Sequence, residues 1–324
     1  MISINQLKDV INEYLLKNQY SSAVKQLNKP IDYTIAQKPK RMRPLLCFMA
    51  ANLNKNDYLK ALPVAAAIEY FHNFTLLHDD IMDNADLRRN KPTAFKQFGL
   101  NSAILSGDFM MINAYQYLEE LPDAAQLKCF KALNYAAAKV CEGQQLDINF
   151  ETTTAVSEKK YLEMIAFKTA ALIAASLKMG AIVANLNEND TENLYQFGWQ
   201  LGIAFQLLDD VLDVYGDTKK FGKKLAGDIV QNKKTYLLIK ALELSQPTDK
   251  AELLNWFTKS DANEAEKIEA VIKLYNKVNI EAITRQKAKD YTEAAFSYLN
   301  NISANLSGIN YIKNYANQLL NRLT

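Results

Sequence analysis

Six aspartates in two matching groups stand out in this sequence. His78-Asp79-Asp80-Ile81-Met82-Asp83 follows Leu76-Leu77, and Asp209-Asp210-Val211-Leu212-Asp213 follows Leu207-Leu208. Each group closes an apolar run with the pattern DDxxD. On a helix, positions i and i+4 share a face one turn apart, so Asp79 pairs with Asp83 and Asp209 with Asp213. Like charges at that spacing repel, and a cation is expected against each face. Oxygen donors without cysteine or histidine suit a hard ion, Mg²⁺ before Zn²⁺. Mg²⁺ takes few protein ligands and usually keeps waters or substrate phosphates. A pair of facing carboxylate helices is therefore expected to share Mg²⁺ ions with a diphosphate or similar polyanion. One DDxxD alone reads more readily as a solvated helix end. Two copies, each closing a very apolar helix, do not.

Basic residues stand where such an anion needs them. Arg88 and Arg89 lie just beyond the first group, and Lys40, Arg41 and Arg43 precede Pro44 at a helix start, a position suited to phosphate oxygens. Lys168-Thr169 interrupts an apolar helix among Phe167, Ala170, Ala171 and Leu172. Lys223, Lys224 and Lys233 flank the stretch after the second group, and Gln206 stands three residues before Asp209. Any one of these bases by itself reads as an exposed or snorkelling side chain, Lys168 least of all. There are only two histidines. His78 adjoins the first group and reads as facing away. His72 stands two helical turns before Asp79 on roughly the same face.

The elements that must position these groups are helical. Most of the chain repeats at the 3.6-residue period, with helices expected near 3–18, Pro44 to Leu53, 57–83, 102–119, 124–149, 157–185, 190–215, 234–243, 248–258, 262–275, 279–303 and 308–322. With 10 glycines and 7 prolines in 324 residues, turn residues are too few for an all-β fold or a Gly-loop nucleotide-binding α/β fold. Segments 62–78, 131–141 and 164–184 are apolar on more than one face and are expected in the middle of a bundle. Residues 216–234, lysine- and glycine-rich, read as a functional loop. The expectation is an all-α fold: one large helical bundle over residues 1–324 with a central apolar cavity.

Composition narrows the function further. Lys+Arg number 38 and Asp+Glu 36, a net charge of +2, so no global field attracts nucleic acid or an anionic membrane. Three cysteines without a CxxC argue against a disulfide framework or zinc site and read as buried thiols in a reducing compartment. No signal peptide or membrane anchor is read, and Lys168 and Lys178 interrupt the most apolar stretch, so a cytoplasmic location is expected.

Taken in order, the motifs resemble a trans-isoprenyl diphosphate synthase of the polyprenyl synthetase family. The matching stretches run over about residues 37–235. They are Lys40-Arg41-Met42-Arg43-Pro44, the two DDxxD groups, Arg88-Arg89-Asn90-Lys91-Pro92-Thr93, Leu105-Ser106-Gly107-Asp108, Glu142-Gly143-Gln144-Gln145-Leu146-Asp147, Lys168-Thr169, Phe205-Gln206, and Gly227-Asp228 through Asn232-Lys233-Lys234-Thr235. The resemblance implies an isoprenoid synthase-type bundle. It also implies Mg²⁺-dependent head-to-tail condensation of isopentenyl diphosphate with dimethylallyl, geranyl or farnesyl diphosphate, giving a C15 or C20 all-trans product.

The same resemblance implies roles for single residues. Asp79, Asp80 and Asp83 form the first metal motif, with Asp79 and Asp83 the main ligands. Asp209 ligates from the second, supported by Asp210 and Asp213, for about three Mg²⁺ with diphosphate bound. Arg88, Lys168 and Lys224 would hold the allylic diphosphate, with Lys233 near it and Lys223 an alternative to Lys224. Lys40, Arg43, His72 and Arg89 would hold isopentenyl diphosphate. Thr169 and Gln206 would lie beside the reacting carbons. Pro39 stands where the family commonly has glycine. Phe74 and Thr75, five and four residues before Asp79, and Phe71, a turn deeper, are candidates for limiting chain length. A homodimer joined through 102–149 is implied. Other readings are a class I terpene cyclase, an enzyme resembling squalene synthase, a non-catalytic subunit of a heteromeric synthase, and a Mg²⁺ enzyme for another phosphorylated substrate.

Overall fold

The computed structural model describes residues 2–37, 39–54, 57–216, 226–259 and 263–321. Contacts divide the chain into two compact units. The first comprises Met1–Tyr135, Ala175–Leu194 and Ser303–Ile309; the second comprises Ala136–Ala174, Tyr195–Ile302 and Asn310–Thr324.

In the first unit α1 (Ile4–Lys17) opens with a capping box, Ser3 accepting from the Gln6 amide while the Gln6 side chain takes the Ser3 amide. α2 (Lys25–Ala36) holds Pro30 in its interior, and α3 (Met42–Ala51) is buried over most of its length. A 3₁₀ turn at Tyr58–Ala61 leads into α4 (Leu62–Met82). Pro63 in the first turn of α4 costs no hydrogen bond. Val64 through Ile68 and Tyr70 to Phe71 are buried, so α4 is a central helix. It ends where Asn84 takes a left-handed conformation at φ 46°. A hairpin follows, β1 (Leu87–Arg88) against β2 (Lys91–Pro92). Its two-residue loop, Arg89-Asn90, has positive φ at both positions, the geometry of a type I′ turn. Then come α5 (Ala94–Phe98) and α6 (Leu100–Leu118), which packs along α4, and the first part of α7 (Asp123–Thr152).

In the second unit the remainder of α7 is followed by α8 (Glu158–Ile165), a π-helical turn (Ala166–Ala170) and the start of α9 (Ala171–Val183), whose residues from Ala175 onward belong to the first unit. The run Glu158–Val183 is long and apolar enough to cross a membrane, yet 78% of its apolar window is buried. It is a core helix. α10 (Glu188–Tyr215), α11 (Gly227–Val230), α12 (Tyr236–Leu244), α13 (Pro247–Thr258), α14 (Glu264–Lys277), α15 (Ile280–Asn300) and α16 (Leu306–Asn321) complete the chain. Val211, Val214, Ile229, Leu237, Leu253, Leu274 and Ile280 form a core around the end of α10.

Two sequence expectations change. Segment 131–141 is not buried all round, since Tyr135, Ala138 and Cys141 are exposed while Leu133, Ala136 and Val140 face inward. Cys141 is correspondingly an exposed thiol, unlike the buried Cys47 and Cys129.

Candidate active site

In the first unit the final turn of α4 carries the first aspartate group. Asp79 and Asp83 lie one turn apart, the Asp83 amide donating to the Asp79 carbonyl at 2.8 Å. Asp80 points inward and is 4% exposed. The Arg88 guanidinium, presented by the hairpin, donates through Nε to Asp80 Oδ1 at 2.7 Å. Burial raises the Asp80 carboxyl above the ordinary range, and Arg88 opposes that shift. The hairpin is tied down by the Tyr33 hydroxyl on the Pro92 carbonyl (2.7 Å) and the Thr93 hydroxyl on the Ala85 carbonyl (2.8 Å).

A second group of bases joins the start of α3 to α4. Arg43 Nη1 donates to His72 Nε2 at 3.0 Å. Burial lowers the His72 imidazole well below its ordinary value, and Arg43, Arg89, Arg88 and Arg41 lower it further. The ring is neutral and accepts. Burial also draws the Arg43 guanidinium down to about 10, against the pull of Glu69, and its Nε has no hydrogen-bond partner. A buried, unpaired guanidinium N–H beside further arginines suits an anion with several oxygens. A cavity lined by Gln37, Asn73, Asp80, Arg88, Arg89 and Thr93 opens beside the hairpin. Arg41 is spent elsewhere, held by Glu69 Oε1 (2.5 Å), Asn12 Oδ1 (2.9 Å) and the Ile35 carbonyl (3.0 Å). Lys40 is exposed in the turn before α3.

Phe71 is buried, and Phe74 packs edge-on against it (5.4 Å) and against His78 (4.8 Å). The Thr75 hydroxyl donates to the His72 carbonyl at 2.8 Å. The His78 ring turns to α6: its Nε2 lies 3.2 Å from the Ile104 carbonyl, in space left by Gly107, where a Cβ would stand 2.4 Å from the ring.

In the second unit the last turns of α10 carry the second aspartate group. Asp209 is exposed, whereas Asp210 is 3% exposed. Tyr161 donates its hydroxyl to Asp210 Oδ2, and Gln206 Nε2 donates to Asp210 Oδ1 at 3.1 Å. Thr169 Oγ1 in turn donates to Gln206 Oε1 at 2.9 Å. Lys168 and Thr169 belong to the π turn, where one extra residue per turn re-aims the side chains. Lys168 Nζ meets Asp147 Oδ2 at 2.6 Å. Asp213 holds the chain beyond the motif: its carbonyl accepts from the Ala226 amide (2.6 Å) and its Oδ2 from the Asp228 amide (3.0 Å). Lys234 Nζ caps α7 on the Phe150 and Glu151 carbonyls.

The carboxylates crowd. Burial raises Asp228 to about 7, with Asp213, Asp209 and Asp147 adding to the rise and Lys233 opposing it. Burial drives Asp210 well above its ordinary value, and Asp228 adds to that. Carboxylates held this close favour a bound cation. Among the described residues no three carboxylates or imidazoles converge into a ready cage. Carboxylate oxygens suit Mg²⁺, which completes its octahedron with water and phosphate oxygens.

The structure thus brings together Arg43, His72, Arg88 and Arg89 with Asp80 in the first unit. In the second it joins Thr169 to Gln206 and Asp210, and places Lys233 beside Asp228. Lys223 and Lys224 lie outside the described residues. Tyr161 was not singled out from sequence. Asp147 and Asp228 lay within recognised stretches but carried no assigned role.

A polyprenyl synthetase family model matches residues 24–275. The chain is 36% identical over 307 residues to the geranylgeranyl diphosphate synthase of Sulfolobus acidocaldarius, covering 93% of this chain and 90% of that protein. It is similar to a crystal structure of a geranylgeranyl pyrophosphate synthase at TM-score 0.95 and 38% identity, covering 99% of each chain. A geranylgeranyl pyrophosphate synthase from Corynebacterium glutamicum, complexed with isoprenyl diphosphate and magnesium, matches at TM-score 0.87 and 25% identity, covering 99% of this chain and all of that one (100%).

Proposed function

The chain belongs to the polyprenyl synthetase family, and from that premise we propose how its residues divide the work. It is a prenyltransferase joining isopentenyl diphosphate head to tail with an allylic diphosphate to give a short-chain all-trans prenyl diphosphate. The observation that supports the assignment of the site is the crowding of Asp209 and Asp213 against Asp228, and of Asp228 against Asp210.

Asp79 with Asp83, and Asp209 with Asp213, would hold Mg²⁺, three ions in all, backed by Asp80 and Asp210. When bound, Mg²⁺ supplies positive charge to the leaving diphosphate. Arg88 and Lys168, with Lys224 and Lys233, take the allylic diphosphate oxygens. Arg43, Arg89 and Lys40 hold isopentenyl diphosphate, and neutral His72 orients the Arg43 guanidinium. As the allylic C–O bond breaks, the oxygens of Thr169 and Gln206 face the developing positive charge. The double bond of isopentenyl diphosphate then attacks, forming the 1′–4 bond. The departing diphosphate accepts the proton that is lost. Phe74 and Phe71 close the path of the growing chain, and the product is C20, in line with the relatives' assigned activity. A homodimer forms on the exposed apolar stripe of α6 and α7, Ile104, Leu105 and Ile112 with Leu127, Phe130 and Tyr135.

Product analysis tests this. Labelled isopentenyl diphosphate is incubated with dimethylallyl, geranyl and farnesyl diphosphates, with Mg²⁺ or with EDTA. Extension to C20 that EDTA abolishes is expected. Cyclic hydrocarbon without extension would point to a cyclase, and an inactive folded chain to a non-catalytic subunit.

A further inference from the structure

One hydrogen-bonded chain runs inward from the second aspartate group: Tyr161 to Asp210, Gln206 to Asp210, Thr169 to Gln206. Its first two members are buried, Tyr161 and Asp210 each 3% exposed. Adjacent helical residues point about 100° apart, so Asp209 can face outward while Asp210 faces α8. Both Asp210 oxygens are occupied by protein donors.

We propose that Tyr161 is a positioning residue for the condensation, acting through Asp210 on the Gln206 amide and the Thr169 hydroxyl. The proposal rests on the synthase reading above. A primary amide can turn either its oxygen or its NH₂ in a given direction, and a hydroxyl has a single proton to donate. Asp210, an acceptor, draws the Gln206 NH₂ toward itself and leaves Oε1 facing Thr169. Thr169 gives its proton to that oxygen, so its lone pairs are free to face positive charge on the allylic carbon. The Tyr161 hydroxyl fixes the Asp210 end of the chain; without it, a buried carboxylate oxygen loses its donor. Asp210 then works as a hydrogen-bond hub and not as an ion ligand. The divided roles of Asp209 and Asp210 follow from their opposite exposure.

The test compares the full-length protein with Tyr161→Phe, Asp210→Asn, the double variant, and Asp209→Asn. Each is measured for kcat, both KM values, the Mg²⁺ concentration giving half activity, and Tm. Tyr161→Phe and Asp210→Asn are each expected to lower kcat ~10–100-fold, the usual cost of losing an outer partner. KM and half-activating Mg²⁺ should stay within about twofold for both. The double variant should be no worse than Asp210→Asn alone, because the two act as one unit. Asp209→Asn should raise the Mg²⁺ requirement. Wild-type kcat in Tyr161→Phe, multiplied losses in the double variant, or a raised Mg²⁺ requirement in Asp210→Asn would each overturn the proposal. If Tyr161→Phe does not fold, the Mg²⁺ dependence of Asp210→Asn decides. Failure of the unaltered protein to extend any primer would overturn the synthase reading instead.

Discussion

Gly143 on α7 approaches the backbone of Lys168 so closely that a Cβ at position 143 would stand 2.3 Å from the Lys168 amide nitrogen. On the α10 side Gly202 does the same for Ala170, where a Cβ would stand 2.4 Å from its Cα. Backbone cannot yield as a flexible side chain does. Gly143→Ala is therefore expected to push the π turn away and displace Lys168 and Thr169. Overpacking of this kind costs about 1–3 kcal/mol. Calorimetry should show a lower Tm, and kcat should fall more than the small loss of folded protein at the assay temperature explains. Unchanged kcat would mean the turn tolerates the shift.

Arg41 and Arg43, two residues apart, are expected to fail in different ways. Arg41 is locked to buried Glu69, and removing one partner of a buried pair costs about 3–5 kcal/mol. Arg41→Ala should show that loss in urea unfolding while KM for isopentenyl diphosphate holds among the folded molecules. Arg43→Ala should raise that KM with little change in urea midpoint. Equal behaviour of the two variants would contradict the division.

His72 makes stability depend on acid. Its folded value lies well below 6.5, so the unfolded chain binds the proton first. The stabilisation from keeping the ring neutral is fully lost only below the folded value, and the loss begins as pH falls through about 6.5. It amounts to about 1.4 kcal/mol per pH unit in that window. His72→Gln keeps an acceptor for Arg43 and does not titrate. Its unfolding free energy should fall less steeply than the wild type's between pH 6.5 and 5; parallel curves would refute this origin.

Phe74→Ala removes the ring packed between Phe71 and His78. Chromatography of the reaction products should show chains longer than those of the wild type. The same distribution for both proteins would remove Phe74 from the list of length determinants.

The exposed stripe on α6 and α7 is tested by mass and by thiol chemistry. Light scattering should give twice the chain mass, and Leu105→Glu, at a side chain 60% exposed, should give the single-chain mass. Cys141 follows Leu127 and Phe130 at helical spacing. Its reaction with a thiol reagent should accelerate ~10-fold or more when the dimer separates, since reactivity follows access. A monomeric wild type would dispose of the interface.

Much of this was legible because the pattern was local. The apolar period of α4 and α10 and the DDxxD groups that end them sit on one stretch of chain each, and the structure keeps those helices to within a few residues. α2 escaped because Pro30 in its interior masks a helix that tertiary packing sustains. The hairpin escaped because Arg89 and Asn90 adopt positive φ without a glycine to announce it. Tyr161 could not be found from spacing, because its partner Asp210 lies 49 residues along the chain and only packing joins them. The exposed face of α7 was hidden for another reason: alanines and a cysteine suit a buried face and an interface equally.

The two hydrogen bonds on Asp213 have a consequence for how the sequence can vary. With the Ala226 amide 2.6 Å from the Asp213 carbonyl, the chain leaving the second aspartate group and the chain returning to it share one anchor. One residue thus serves both the last turn of α10 and the start of α11, so position 213 tolerates less variation than its partial exposure alone implies. Asp213→Ala keeps the backbone bond from Ala226 and loses the side-chain acceptor that holds the Asp228 amide.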